Sequence, residues 1–331
     1  MPVQRHHIIR FLAIAVAYFL AGKAAFLLPY HDTTQWLIWL PTGIALASLI
    51  IWGWRYAPAV FCGSMLLTLA SDFSLFTAIL FATSTTVSTA IPAALITRLC
   101  GTSPLSSLRG LIMFLLIGAL GAPLISATVG SGVALITGVT DVQNLRTVWE
   151  GWVLSGTVGT LVGTPLILRL FNQPWKNRHL GYYLELAFIS CAAVIVSSII
   201  QITPIMSRPE FLFIFVSLPF VIWAAVRFGL LGATLINALI MINIIIFTSF
   251  GTGGFVSRNF NTGPGETYNY IIAVTFVTIL LAVGLEKMSS VTTRARDGKI
   301  SHDIHRLRRN LAVIVAVLGF GISAVAGWYT Y

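Results

Sequence analysis

Eleven apolar runs, each almost free of charge, follow one another along this chain, and they constrain its fold more than any other feature. They are Ile8–Leu28, Trp36–Trp54, Ala57–Ala70, Phe73–Leu99, Leu111–Val139, Val148–Phe171, Tyr182–Gln201, Phe211–Val226, Phe228–Phe250, Tyr268–Leu285 and Asn310–Trp328. A helix needs roughly 20 apolar residues to cross the hydrocarbon of a bilayer. Hydrocarbon offers backbone groups no partner, so helices that satisfy their own amides are the economical solution. The expected fold is therefore all-α: a polytopic transmembrane helix bundle of about 10–11 spans, some broken by proline. Composition agrees. The chain is 57% hydrophobic and 9% charged, against about 25% charged for a soluble domain. Ala57–Ala70 and Phe211–Val226 are short, and each forms a tight hairpin with its neighbour or a tilted span.

The charges orient these spans. With the N-terminus (Arg5, Arg10) placed inside, the inner loops hold 16 bases and the outer loops only Arg146, Arg208 and Arg258. The bias of Lys and Arg toward cytoplasmic loops requires this alternation. It also explains the basic balance without nucleic acid, because the bases form no single patch. The bilayer is the expected partner. Cys62, Cys100 and Cys191 lie in or beside apolar stretches without ligand spacing and read as filler.

Prolines and glycines inside the spans mark where the bundle departs from plain helices. Pro41 in "LPTG" and Pro165 in "VGTP" each neighbour a threonine and a glycine, and Thr42 and Thr164 are candidates to satisfy the freed carbonyls. Two such sites, both near tryptophans, point to a built cavity. Pro41 is expected to break its helix so that Trp39, Thr42 and Gly43 line a cavity open to the outer side. Gly159 and Gly163 form a GxxxG pair suited to close helix approach. Trp36, Trp39, Trp52, Trp54, Trp149, Trp152 and Trp328 cluster near span ends as an aromatic belt does, and Trp223 stands one turn before Arg227.

Intramembrane charges add candidates. Lys23 either snorkels outward or points inward toward an anion from Asp32, Glu150 or a ligand. Glu150 lies between Trp149 and Trp152, where it suits a polar or cationic ligand or pairs with Arg146. Glu150, Trp152 and Lys23 are expected to share the outward cavity. Glu185 is a candidate partner for an inner-loop base. Arg227 and Arg55, in tight inner turns, are expected to bond carbonyls at helix C-termini, where the dipole favours a cation. His302, Asp303 and His305 supply too few ligands for a metal. No nucleophile–base pair is evident, so neither catalysis nor a cofactor is expected.

Three stretches resemble one family in order. "WLPTGIALASLIIWGWRYAPAVFCGS", "VWEGWVLSGTVGTLVGTPLIL" and "LPFVIWAAVRFGLLGATLINALI…GTGGF" are similar to the signatures of the membrane-associated sensor domains of bacterial signalling proteins, first MASE type. The resemblance covers roughly Arg10 to Lys287. Where that family often has an aspartate two residues before the glycine, this chain has Thr157. The resemblance implies an integral-membrane sensory module. Such modules usually precede histidine kinase, diguanylate cyclase, phosphodiesterase or PAS domains, and none of those motifs occurs here.

The expected organisation is a sensor domain over 1–287, a basic cytoplasmic linker over 288–309 and an additional transmembrane helix over 310–331. The module would relay an external or membrane-phase signal, a small molecule or a lipid, to an output domain or partner, including a homodimer formed through a longer receptor. A transporter or permease moving a small solute is the alternative. The expected location is the bacterial inner membrane, with the N-terminus cytoplasmic and the C-terminus extracytoplasmic. The eleventh span predicts that alkaline phosphatase fused after Tyr331 is active and that a cytoplasm-dependent fluorescent reporter there is dark. The reverse pair would reject the eleven-span topology.

Overall fold

The computed structural model describes residues 2–30, 35–172, 179–202, 209–253, 255–256 and 265–296. Among them the regular structure is helical: α1 Pro2–Phe26, α2 Leu40–Trp52, α3 Ala57–Leu69, α4 Leu75–Cys100, α5 Leu108–Met113, α6 Ala122–Ile136, α7 Leu145–Asn172, α8 Leu180–Ile202, α9 Pro209–Ser249 and α10 Gly265–Arg296. The described residues form no strand beyond an isolated bridge between Pro29 and Trp36. A π-helical segment, Phe114–Gly121, joins α5 to α6, and the amide of Ala122 reaches back to the carbonyl of Ile117. Pro123 follows directly, and a proline that cannot donate is a physical reason for the altered register. Seven described helices are long and apolar enough to cross a membrane, and the protein is a multi-pass membrane protein.

The difference from eleven expected spans has physical causes. α2 and α3 have 13 residues each, about 20 Å at 1.5 Å per residue. Neither crosses a 30 Å hydrocarbon core alone. Pro41 does not break α2; it stands in its first turn, where a missing N–H costs nothing and the fixed φ suits the helix. The break lies before it, at Trp36–Trp39. The expected pair Phe211–Val226 and Phe228–Phe250 corresponds to the two halves of α9, which meet at non-helical backbone at Gly229 with φ 69° and ψ −156°. That left-handed backbone favours glycine, so the turn falls two residues after Arg227. α10 continues past Lys287 to Arg296. The expected eleventh span, Asn310–Trp328, and His302, Asp303 and His305 lie outside the described residues.

The chain divides into two compact units, the first comprising Met1–Pro104, Ile112–Phe171 and Ser249–Gly251. In this unit α1 packs on α2 and α3, and α4 packs on α2, α3 and α6. Gly63 of α3 lets α1 close in, since a Cβ there would lie 2.8 Å from the Ala15 carbonyl. α7 is buried on every side from Ser155 to Pro165. Gly53, with φ 88°, ends α2, and a 3-10 turn over Trp54–Tyr56 leads into α3.

The second unit comprises Leu105–Leu111, Asn172–Thr248 and Thr252–Tyr331. α8 shows its environment in two stripes. Leu184, Phe188, Ile195 and Ile199 are exposed, whereas Ile189, Ala193, Ser197 and Gln201 are buried. The apolar face is thus the outer one, as lipid requires. Inside, Asn243 accepts from Ser197 and donates to Ser198, both at 2.9 Å. Asn237 joins α10 by donating to Thr275 at 3.0 Å and accepting from Thr278 at 3.3 Å. Ser217 and Tyr270 share a hydrogen bond of 2.9 Å.

Arg227 does not bond helix carbonyls as expected. Its Nε donates to both carboxylate oxygens of Glu185 at 2.9 Å. The Arg227 side chain is 62% exposed and that of Glu185 26%, so solvent screens the pair. Arg227→Ala and Glu185→Gln should each cost below about 1 kcal/mol, with no further loss in the double variant. Thermal denaturation of the purified variants measures this, and fully additive losses would show that the two side chains act separately.

Candidate functional site

The first unit contains non-helical chain that is buried in protein. Residues 35–39 are not helical, yet Leu37 and Ile38 are buried. Backbone hydrogen bonds tie both ends of the segment. Trp36 bridges to Pro29, and the Tyr30 amide donates to the Gln35 carbonyl at 2.7 Å. The Trp39 amide donates to the Ser155 carbonyl of α7 at 2.9 Å, and the Thr42 amide donates to the Trp39 carbonyl at 3.3 Å. Irregular backbone at membrane depth is tolerated where protein surrounds it, and α7 supplies that surrounding here.

Small residues make the approach possible. A Cβ on Gly159 would collide with the Trp39 carbonyl, and one on Gly43 with the Gly159 carbonyl. Gly163 lies against Leu40 and Gly43. Thr164 closes the crossing by donating to the Gly43 carbonyl at 3.1 Å. Its hydroxyl therefore serves the neighbouring helix, not the carbonyl freed by Pro165. Contacts advance together along both elements, from Trp39 with Ser155 to Gly43 with Gly163 and Thr164, so α2 and α7 run parallel. No side chain caps the N-terminus of α2, which leaves its positive dipole end inside the protein. Two further hydroxyls of α7, on Thr157 and Thr160, are buried without a protein partner.

A second polar group adjoins Trp39. Tyr18 is buried, and the side chains of Thr85, Ser64 and Trp39 lie close to its hydroxyl, so α1, α3, α4 and the segment before α2 come together around it. Phe26, Trp36 and Trp39 pack with centroids 5.1–5.6 Å apart. Sequence reasoning found only Trp39 of the polar group. A tyrosine buried in an apolar helix needs a partner for its hydroxyl, and the run Thr83–Thr89 of α4 was the signal that partners were near.

The remaining expected site residues are dispersed. Pro41 and Thr42 are buried beside Gly43. Lys23 donates to the Ala70 carbonyl and to the Ser71 hydroxyl, the latter at 3.3 Å. It thus caps the C-terminus of α3, where the dipole favours a cation. Glu150 accepts from Arg146 at 2.8 Å on an exposed surface. The two charges have separate partners, and the pairing of Glu150 with Arg146 is the simpler of the two sequence readings. Trp149 donates to Thr128 at 3.1 Å. Trp152 meets Phe81 edge-on at 5.8 Å and presses on Gly130. Arg55 lies over the Tyr56 ring at 5.4 Å rather than on a helix end. His7 and Tyr56 share a hydrogen bond of 2.7 Å, and Arg10 lies over Trp52 at 5.9 Å. Pro165 is buried within α7, and Trp223 is exposed.

The convergence at Trp39 is thus built from neutral donors and acceptors around an uncapped helix end. Among the described residues no group of three or more His, Cys, Asp or Glu is placed to hold a metal.

Comparison with protein families gives a match of the MASE1 model over residues 10–296. Comparisons with curated proteins and with solved structures each found no match.

The crossing predicts a sharp contrast between two glycines. Gly159→Ala should destabilise the protein by about 1–3 kcal/mol or more, because the new methyl meets backbone that cannot swing away. Gly132→Ala, where a Cβ meets nothing within 4 Å, should not destabilise it. Melting of the two purified variants tests this, and equal melting would place the α2–α7 contact elsewhere.

Proposed function

Because the chain belongs to the MASE1 family, a membrane-associated sensory domain, we propose that it is the sensing module of a bacterial signal-transduction protein in the inner membrane. It binds an external or membrane-phase signal and relays it to an output domain or partner, without catalysis of its own. The observation that supports this reading is the buried non-helical segment at Trp36–Trp39, held to α7 by one backbone hydrogen bond and several glycine contacts. A signal shifts such a module only by its differential affinity for two packings. A junction held through backbone and glycine contacts to α7, a helix that also buries the unpartnered hydroxyls of Thr157 and Thr160, is a candidate for both a recognition surface and a second packing. The ligand region is Trp39, Pro41, Thr42 and Gly43 with the facing stretch of α7. Lys23, Trp149, Glu150 and Trp152, each held by a partner of its own, lie outside that region. The N-terminus is cytoplasmic and the C-terminus extracytoplasmic.

One observation favours a second reading. A half-length helix whose N-terminus ends inside the protein is also how secondary transporters orient anionic substrates, and α2 has that form. Two measurements separate the readings. Native mass spectrometry of the chain from nanodiscs should identify a bound small molecule or lipid. Trp39→Ala should lower its occupancy at least several-fold, and Trp223→Ala should leave it unchanged. Proteoliposomes holding the chain should take up solutes no faster than empty vesicles. Ligand-specific, gradient-driven uptake would establish the permease instead.

A further inference from the structure

One carboxylate ties the exit of the last described helix to a turn in its neighbour. Gly229 interrupts α9 with non-helical backbone, so the half of α9 that follows begins with its own unsatisfied amides. The Leu230 amide donates to Oε1 of Glu286, on α10, at 3.1 Å. A negative acceptor at a helix N-terminus is favoured by both the hydrogen bond and the dipole. Gly229 leaves the space for it, since a Cβ there would stand 3.1 Å from the same oxygen. Two residues before, Arg227 grips Glu185 of α8. The start of α8, the Gly229 turn within α9 and α10 at Glu286 are therefore joined in one place.

Beyond that residue α10 runs on to Arg296, and the sequence from Lys287 to Arg309 carries seven bases. Nearer the middle of the helices, α9 and α10 are held by Asn237 with Thr275 and Thr278 and by Ser217 with Tyr270.

We infer that Glu286 is a releasable latch: its carboxylate holds the end of α10 to the Gly229 turn in one state of the sensor, and its release frees α10 to carry the signal onward. The inference rests on the sensory reading for the direction of the relay. The latch itself is measured without any ligand, so its failure leaves that reading standing, and failure of the ligand tests leaves this measurement intact.

Hydrogen–deuterium exchange of the full chain in nanodiscs tests it with two variants. Glu286→Ala should speed exchange at the Leu230 amide on the order of fivefold, the factor that loss of one capping acceptor gives. The same variant should speed exchange in the last turns of α10, with melting unchanged. Glu286→Gln keeps an oxygen acceptor and should exchange much more slowly than the alanine variant. Unchanged exchange in Glu286→Ala overturns the latch. So does acceleration throughout α9 and α10 with a lowered melting temperature, which would make Glu286 an anchor of the fold. Equal acceleration in the glutamine variant overturns it as well, because a neutral acceptor at the same position would then hold nothing.

Discussion

The hydrogen bond from the Trp39 amide to the Ser155 carbonyl sets the geometry of the first unit. It gives a non-helical peptide group a protein partner where the bilayer would offer none. Once that bond exists, α7 must come close enough for backbone to meet backbone, and only Gly159 and Gly163 on one side and Gly43 on the other permit it. α2 is then confined to a start at Leu40, and Pro41 is suited to the first turn it occupies. The tryptophans before it stack on Phe26, and the Trp39 side chain joins the Tyr18 group. Short helix, proline, glycines and aromatic cluster are consequences of one unsatisfied amide finding its partner.

Membrane character and helix positions were legible in the sequence because both follow from hydropathy and length. α4, α7 and α8 lie close to where their apolar runs place them. Hydropathy does not report whether an apolar residue is helical. The Trp36–Trp54 run therefore reads as one span, although its first residues are extended against α7. The turn near Arg227 was legible, but its pivot is Gly229, because the left-handed backbone belongs to the glycine and not to the charge.

Partners were harder to read than elements. Lys23 reads as a cation that either snorkels outward or points to an acid or a ligand, yet it serves the end of α3, since a helix C-terminus is an anion surrogate that no residue letter marks. Glu150 has its partner one turn away in Arg146, a spacing the sequence displays openly. Tyr18, Ser64 and Thr85 come from three helices, and no local pattern joins residues that far apart. The resemblance to MASE1 stood on motifs of tryptophan, glycine and proline, the residues that govern backbone approach, and the family match over residues 10–296 follows the same signal.

The π-helical stretch Phe114–Gly121 gives one span a tolerance the others lack. Each residue of an α-helix turns the chain by about 100°, so losing one residue rotates every later side chain away from its neighbours. A π turn already holds one residue more than an α turn. Removing a single residue between Phe114 and Gly121 would convert the stretch to regular helix and leave both flanks in phase. Gly118, within the stretch, stands beside Leu46 and Ile96, and Pro123, just after it, stands beside Gly156. The sequence length of this span is thus adjustable at one place without disturbing the faces it presents.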